Sequence, residues 1–276
     1  MPYAAILVHA GPGSQSEPRL KLAAGLANQF QASLIGVAAE MYEPSAFGSE
    51  YTNVDGELVV AEARAIEGDL KMAEERFQRV ARSVTAGASW RSGVAMPSDA
   101  VAREARSADL IVVGPHGKRH PGFHNHPDPG ELVMRSGKPV LVAPMDLEAL
   151  DAASIVVAWR DTREARRAVT DAMPFLKRAS QVLVVEIGEP RAEAQMTECL
   201  QDVADYLGQH GVKASTTVRT AGKGSVAQAL IEVADMQDAG LVVAGAYGHA
   251  RLAEWMFGGV TKELLGGCHR AVLLSH

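Results

Sequence analysis

Hydrophobic positions along this chain alternate between two patterns. One is a short, nearly continuous apolar run: AAILVH (4–9), ASLIGVA (32–38), ASWRS (88–92), DLIVVG (109–114) and PVLVAP (139–144), then SIVVAW (154–159), QVLVVEI (181–187), STTVR (215–219), GLVVAG (240–245) and AVLLS (271–275). The other has helical spacing, as in REARRAVTDAMPFLKRA (163–179) and SVAQALIEVADMQ (225–237). Runs of Val, Ile and Leu without polar alternation suit strands covered on both faces, so the pattern predicts parallel sheets with crossover helices. Five strands and four helices per half predict an α/β fold of two flavodoxin- or Rossmann-like repeats, each a five-stranded parallel sheet with helices on both faces. A long helix is expected over 57–83, after a surface loop within 39–60, where Pro, Gly and aromatic residues occur without a period.

The halves align with each other. DLIVVG and PVLVAP recur 131 positions later as GLVVAG and AVLLS, whereas Ile6 and Val8 fall on Ile155 and Val157 at an offset of 149. The first half is thus longer by 18 residues, the difference between the offsets. The expected domains are 1–146 and 151–276, joined by the short linker MDLEALDAA (145–153). Short linkers favour tight packing. AVLLS beside PVLVA would pair the halves as an intramolecular pseudo-dimer, with a homodimer of chains as a further option.

Composition narrows the function. Charged residues make up 22% and the net charge is −6, with no basic stripe to neutralise a phosphate backbone, so a nucleic-acid partner is not expected. Apolar runs are far shorter than the ~20 residues of a membrane helix, and MPYAAILVHAG has no basic leader, so neither a membrane partner nor a signal peptide is expected. Two isolated cysteines, Cys199 and Cys268, imply no disulfide framework and fit a cytoplasmic setting.

Candidate chemistry follows the fourth strand of each half. The second half reads GAYGHARLAEWMFGGVT (245–261). Gly245 ends a strand where a parallel sheet opens a crevice. Gly248 leaves no Cβ in a ligand's way. Gly258 and Gly259 open a helix whose free N–H groups and positive dipole end suit a phosphate, and Thr261 adds a hydroxyl. The alternative is glycines serving turns and a helix cap. Trp255, Met256 and Phe257 are read as core or interface residues, with covering a ligand as the alternative. The first half reads GPHGKRHPGFHNHPDPG (114–130). There Pro127 and Pro129 have no N–H to donate, and Asp128 puts a negative charge where a phosphate would sit. That loop is read as having lost phosphate binding. His120, His124 and His126 could ligate zinc, although a solvated polar loop accounts for them as well and no metal site is expected.

The chain resembles the universal stress protein family in its tandem form. The stretches that carry the likeness are VVAWRDTREARRAVTDAMPFLKRA, GLVVAGAYGHARLAEWMFGGVTKELL and the ending RAVLLSH. The family's nucleotide motif is Gly, two residues, Gly, nine residues, Gly, then Ser or Thr. Gly245, Gly248 and Gly258 match it; Gly259 stands where Ser or Thr is usual, followed by Val260 and Thr261. The resemblance implies that these residues, with His249 on the loop, hold ATP or a related adenine nucleotide, with Mg as a companion ion and no zinc. It also implies an Asp at the end of the repeat's first strand, against adenine. Arg160 occupies that position, and Asp161 one place later either substitutes or caps the next helix with Thr162.

Three functions follow. The first is a stress-response regulator that binds nucleotide in the second domain and tunes a protein partner. The second is slow ATP hydrolysis, against which stands the lack of a Walker lysine and of an evident magnesium aspartate, leaving only His249 and Arg251 nearby. The third is an interaction or ligand-carrying module with both sites decayed. No catalytic residue is assigned.

Overall fold

The structure is a computed structural model that describes residues 2–42, 56–115, 126–188, 193–220, 224–248, 259–267 and 269–276. The expected surface loop within 39–60 falls largely outside those residues. Two compact units emerge.

The first unit spans Tyr3–Ser136 and Met145–Ala149. It holds β1 (Ala5–His9), α1 (Glu17–Phe30), β2 (Ser33–Glu40), α2 (Gly56–Ala81), β3 (Ala88–Val94), α3 (Pro97–Glu104), β4 (Leu110–Val113) and α4 (Pro129–Ser136). Its strands run parallel in the order β3-β2-β1-β4. Every residue of β4 is buried, as are four of the five in β1. Consecutive buried residues require cover on both faces, and α1 packs on β1 while α2 and α3 pack on β2. Each fully buried Val, Leu or Ile there contributes ~1.5–3 kcal/mol of transfer free energy.

The second unit spans Gly137–Pro144 and Leu150–His276. After β5 (Val140–Val142) come β6 (Ser154–Ala158), α5 (Arg163–Leu176), β7 (Gln181–Ile187), α6 (Glu193–Gln209), β8 (Ala214–Arg219), α7 (Val226–Met236), β9 (Leu241–Gly245), α8 (Gly259–Gly267) and β10 (Ala271–Ser275). The strand order is β5-β10-β9-β6-β7-β8. Helix α5 packs on β9 and β10, α6 on β7 and β8, and α7 on β6 and β7. Local signals set the helix starts. Thr162 accepts the Ala165 N–H at 3.3 Å. Ser225 and Gln228 exchange hydrogen bonds of 3.1 Å in a capping box.

The strand β5 joins the two halves of the sequence. It groups with the second unit and runs antiparallel to β10, pairing Val142 with Val272 and Val140 with Leu274. This is the PVLVA–AVLLS pairing expected from the sequence. Its pairing leaves β10 flanked on both sides, by β5 and β9.

Candidate functional site

In the second unit β6 and β9 lie side by side, with Ala158 opposite Ala244. The chain leaves β6 towards β7 and leaves β9 towards β10, so their carboxyl ends diverge and open a crevice. Trp159 to Thr162 follow β6, and Ala246 to Gly248 follow β9. Tyr247 turns the backbone there with a positive φ of 61°.

The two described loop glycines serve the protein's own packing. A Cβ on Gly245 would lie 2.6 Å from the Ala165 nitrogen and from the Glu164 carbonyl carbon. The start of α5 therefore fits against β9 only because residue 245 is glycine. A Cβ on Gly248 would lie 2.9 Å from Glu164 Oε2 and 3.1 Å from Thr162 Oγ1. Glu164 is 5% exposed and ion-paired with Arg163. Burial alone would raise its pKa. Hydrogen bonds from Arg163, its own backbone and Thr162, together with the Arg163 charge, more than offset that and hold it below the usual carboxylate value. A negative charge thus sits directly beneath Gly248.

Farther along, Gly259 opens α8, and among the described residues nothing lies within 4 Å of where its Cβ would be. Val260 is half-buried, and Thr261 is buried in the first turn. Asp161 is exposed and pairs with Arg166, while Thr162 caps α5. Among the described residues, Trp159 Nε1 after β6 and Ser275 Oγ at the end of β10 are buried without a hydrogen-bond partner. Sequence reasoning did not single out Glu164, Trp159 or Ser275. His249, Arg251, Trp255, Met256, Phe257 and Gly258 lie outside the described residues.

In the first unit the matching crevice lies between β1 and β4, where Val8 pairs with Val112. His9 ends β1 and is buried. Arg19, on α1, donates from Nε to the His9 carbonyl at 2.9 Å. The His126 ring centroid lies 6.3 Å from that of His9. Burial first, then the Arg19 and His126 charges, push the His9 pKa well below 6.5. Burial and Arg19 lower that of His126 in the same way. Asp128 caps α4, accepting the Glu131 N–H at 2.9 Å, and its own N–H donates to Ser98 Oγ at 3.0 Å. His120 and His124 lie outside the described residues. Among the described residues no three His, Cys, Asp or Glu side chains converge as metal ligands, and no helix is long and apolar enough to cross a membrane.

The molecule is therefore a duplicated α/β protein with a switch-point crevice in each repeat. No family profile matches its sequence, and no curated protein is significantly similar. Solved structures do match. A universal stress protein from Archaeoglobus fulgidus DSM 4304 superposes with a TM-score of 0.68 at 13% identity, over 98% of this chain and 97% of that one. A functionally unknown protein from Pseudomonas aeruginosa PAO1 gives a TM-score of 0.58 at 15% identity, over 99% of this chain and 92% of that one. The fold is that of the universal stress proteins along essentially the whole chain.

Proposed function

We propose that the chain is a tandem universal stress protein whose second repeat, residues 151–276, binds an adenine nucleotide as a regulatory signal. Supporting it are the side-by-side pairing of β6 and β9, whose chains leave in opposite directions at their carboxyl ends, and the exposed, glycine-started end of α8 that follows β9. The base would sit near Trp159, and the phosphates would reach the N–H groups of Gly259 and Val260 and the hydroxyl of Thr261. Glu164, beneath Gly248, opposes a bare triphosphate. Mg between them would remove the repulsion, so binding should depend on magnesium.

The test is to purify the protein natively, denature it and identify released nucleotide by chromatography, then titrate ATP with magnesium into wild type and Gly258→Asp. Binding in wild type and its loss in Gly258→Asp support the reading. No released nucleotide and no binding at millimolar ATP would favour the interaction module with two decayed sites. Phosphate release that depends on magnesium would move the reading to an ATPase.

A further inference from the structure

We propose that the crevice of the first repeat binds a small oxyanion, a phosphate or carboxylate group, on the Arg19 guanidinium beside the His9 and His126 rings.

Arg19 carries the argument. It sits among the buried residues of α1 with Leu22, Ala23 and Leu26, and is only 8% exposed. Its Nε donates to the His9 carbonyl at 2.9 Å, and its terminal nitrogens are not among the buried side-chain atoms without a partner, which leaves them reachable from the crevice. No carboxylate among the described residues pairs with it. A guanidinium taken out of water without an anion costs several kcal/mol. Burial accordingly pushes its pKa down to about 10. A fold that keeps such a cation at a switch-point crevice has placed it where a ligand can supply the missing charge.

The surroundings fit a small anion. Arg19 Nη1 lies 2.5 Å from where a Cβ of Gly114 would be, so the guanidinium is held at the carboxyl end of β4 and would be displaced by any side chain at 114. A Cβ on Gly11 would lie 3.8 Å from the His9 ring and 3.9 Å from the His126 ring, which places both imidazoles beside the backbone after β1. Each neutral imidazole has one N–H to donate. The charges acting on His9 are those of Arg19 and His126, and the charge acting on His126 is that of Arg19. The loop carboxylate of Asp128 is bound to the Glu131 N–H. An oxyanion would satisfy the guanidinium's paired N–H groups and take a further hydrogen bond from an imidazole. No residue of the second repeat takes part, so this site stands or falls separately from the nucleotide reading.

The experiment titrates inorganic phosphate, and separately acetate, into the full chain at constant ionic strength. It follows the His9 and His126 ring C–H signals by NMR and the thermal midpoint by calorimetry. Saturable shifts of both rings and a higher midpoint are expected, and the tighter of the two anions identifies the source. Arg19→Gln should weaken binding ~10-fold or more, as loss of a charged donor does. His126→Ala, which leaves the helix core intact, should weaken it by a smaller factor. ATP binding in the second repeat should be unchanged in both variants. Absence of ring shifts with either anion in wild type overturns the proposal, as do shifts that persist in Arg19→Gln.

Discussion

Gly114 and Gly245 stand at the end of the fourth strand in their respective repeats, and each leaves room that a Cβ would fill. In the first repeat that room is taken by the tip of the Arg19 side chain, 2.5 Å away; in the second it is taken by the backbone of α5, 2.6 Å away. The tip of an arginine can swing aside, whereas the start of a helix packed on β9 and β10 cannot. The same glycine thus supports a cationic side chain in one crevice and the placement of a helix in the other. The two crevices differ accordingly. The first presents a guanidinium and two imidazoles; the second presents an indole, a buried carboxylate and an open helix start.

The largest effect expected from this contrast is on stability. Gly245→Ala should cost about 3 kcal/mol, because overpacking against backbone is relieved only by shifting α5. Gly114→Ala should cost about 1 kcal/mol, the hydrogen bond Arg19 makes to the His9 carbonyl. Urea unfolding, read by hydrogen exchange at β9 and at β4, separates the two, and equal losses would break the contrast. Thr162→Ala should destabilise the second repeat by about 1 kcal/mol through loss of the α5 cap, with exchange at β4 unaffected.

Acid should act on the first repeat. His9 and His126 have folded pKa values below 6.5, so as pH drops below that value the unfolded chain takes up protons that the folded chain refuses. Stability then falls with falling pH. Glu40 works in the opposite sense. Burial, then the charge of Asp69, raises its pKa from 4.5 to about 7, so it favours the fold at low pH and loses that contribution as pH rises through about 7. Urea midpoints against pH should show the acid-side loss reduced in His9→Gln and the loss on raising the pH from 4.5 to about 7 reduced in Glu40→Gln. The smallest effect concerns Glu164. Glu164→Gln should tighten magnesium-free ATP binding several-fold, as removal of about 1 kcal/mol of repulsion does, and narrow the gap between ATP with and without magnesium. Calorimetric titration measures both.

The fold was readable because strands buried on both faces leave continuous apolar runs. LIVV at 110–113 and the helix expected over 57–83, found at Gly56–Ala81, needed no tertiary knowledge. The cap at Thr162 was equally local. The chemistry of the first crevice was not readable, because His9, Arg19 and His126 are far apart in sequence and meet only through β1, α1 and the loop before α4. One signal was present: Arg19 lies on the same helical stripe as Ala23, Leu26 and Phe30, where a charge is out of place. Glu164 gave no such signal, since an acidic residue in the first turn of a helix is ordinary. That Gly245 and Gly248 accommodate α5 and Glu164 follows from packing, which spacing does not encode.

On the proposed reading the crevices have diverged, and the second alone takes a nucleotide. Isothermal titration of ATP with magnesium into the whole chain, into Gly258→Asp and into Arg19→Gln tests it most directly. One ATP per chain is predicted, lost in Gly258→Asp and kept in Arg19→Gln. Two per chain, or binding that survives Gly258→Asp and disappears in Arg19→Gln, would contradict it.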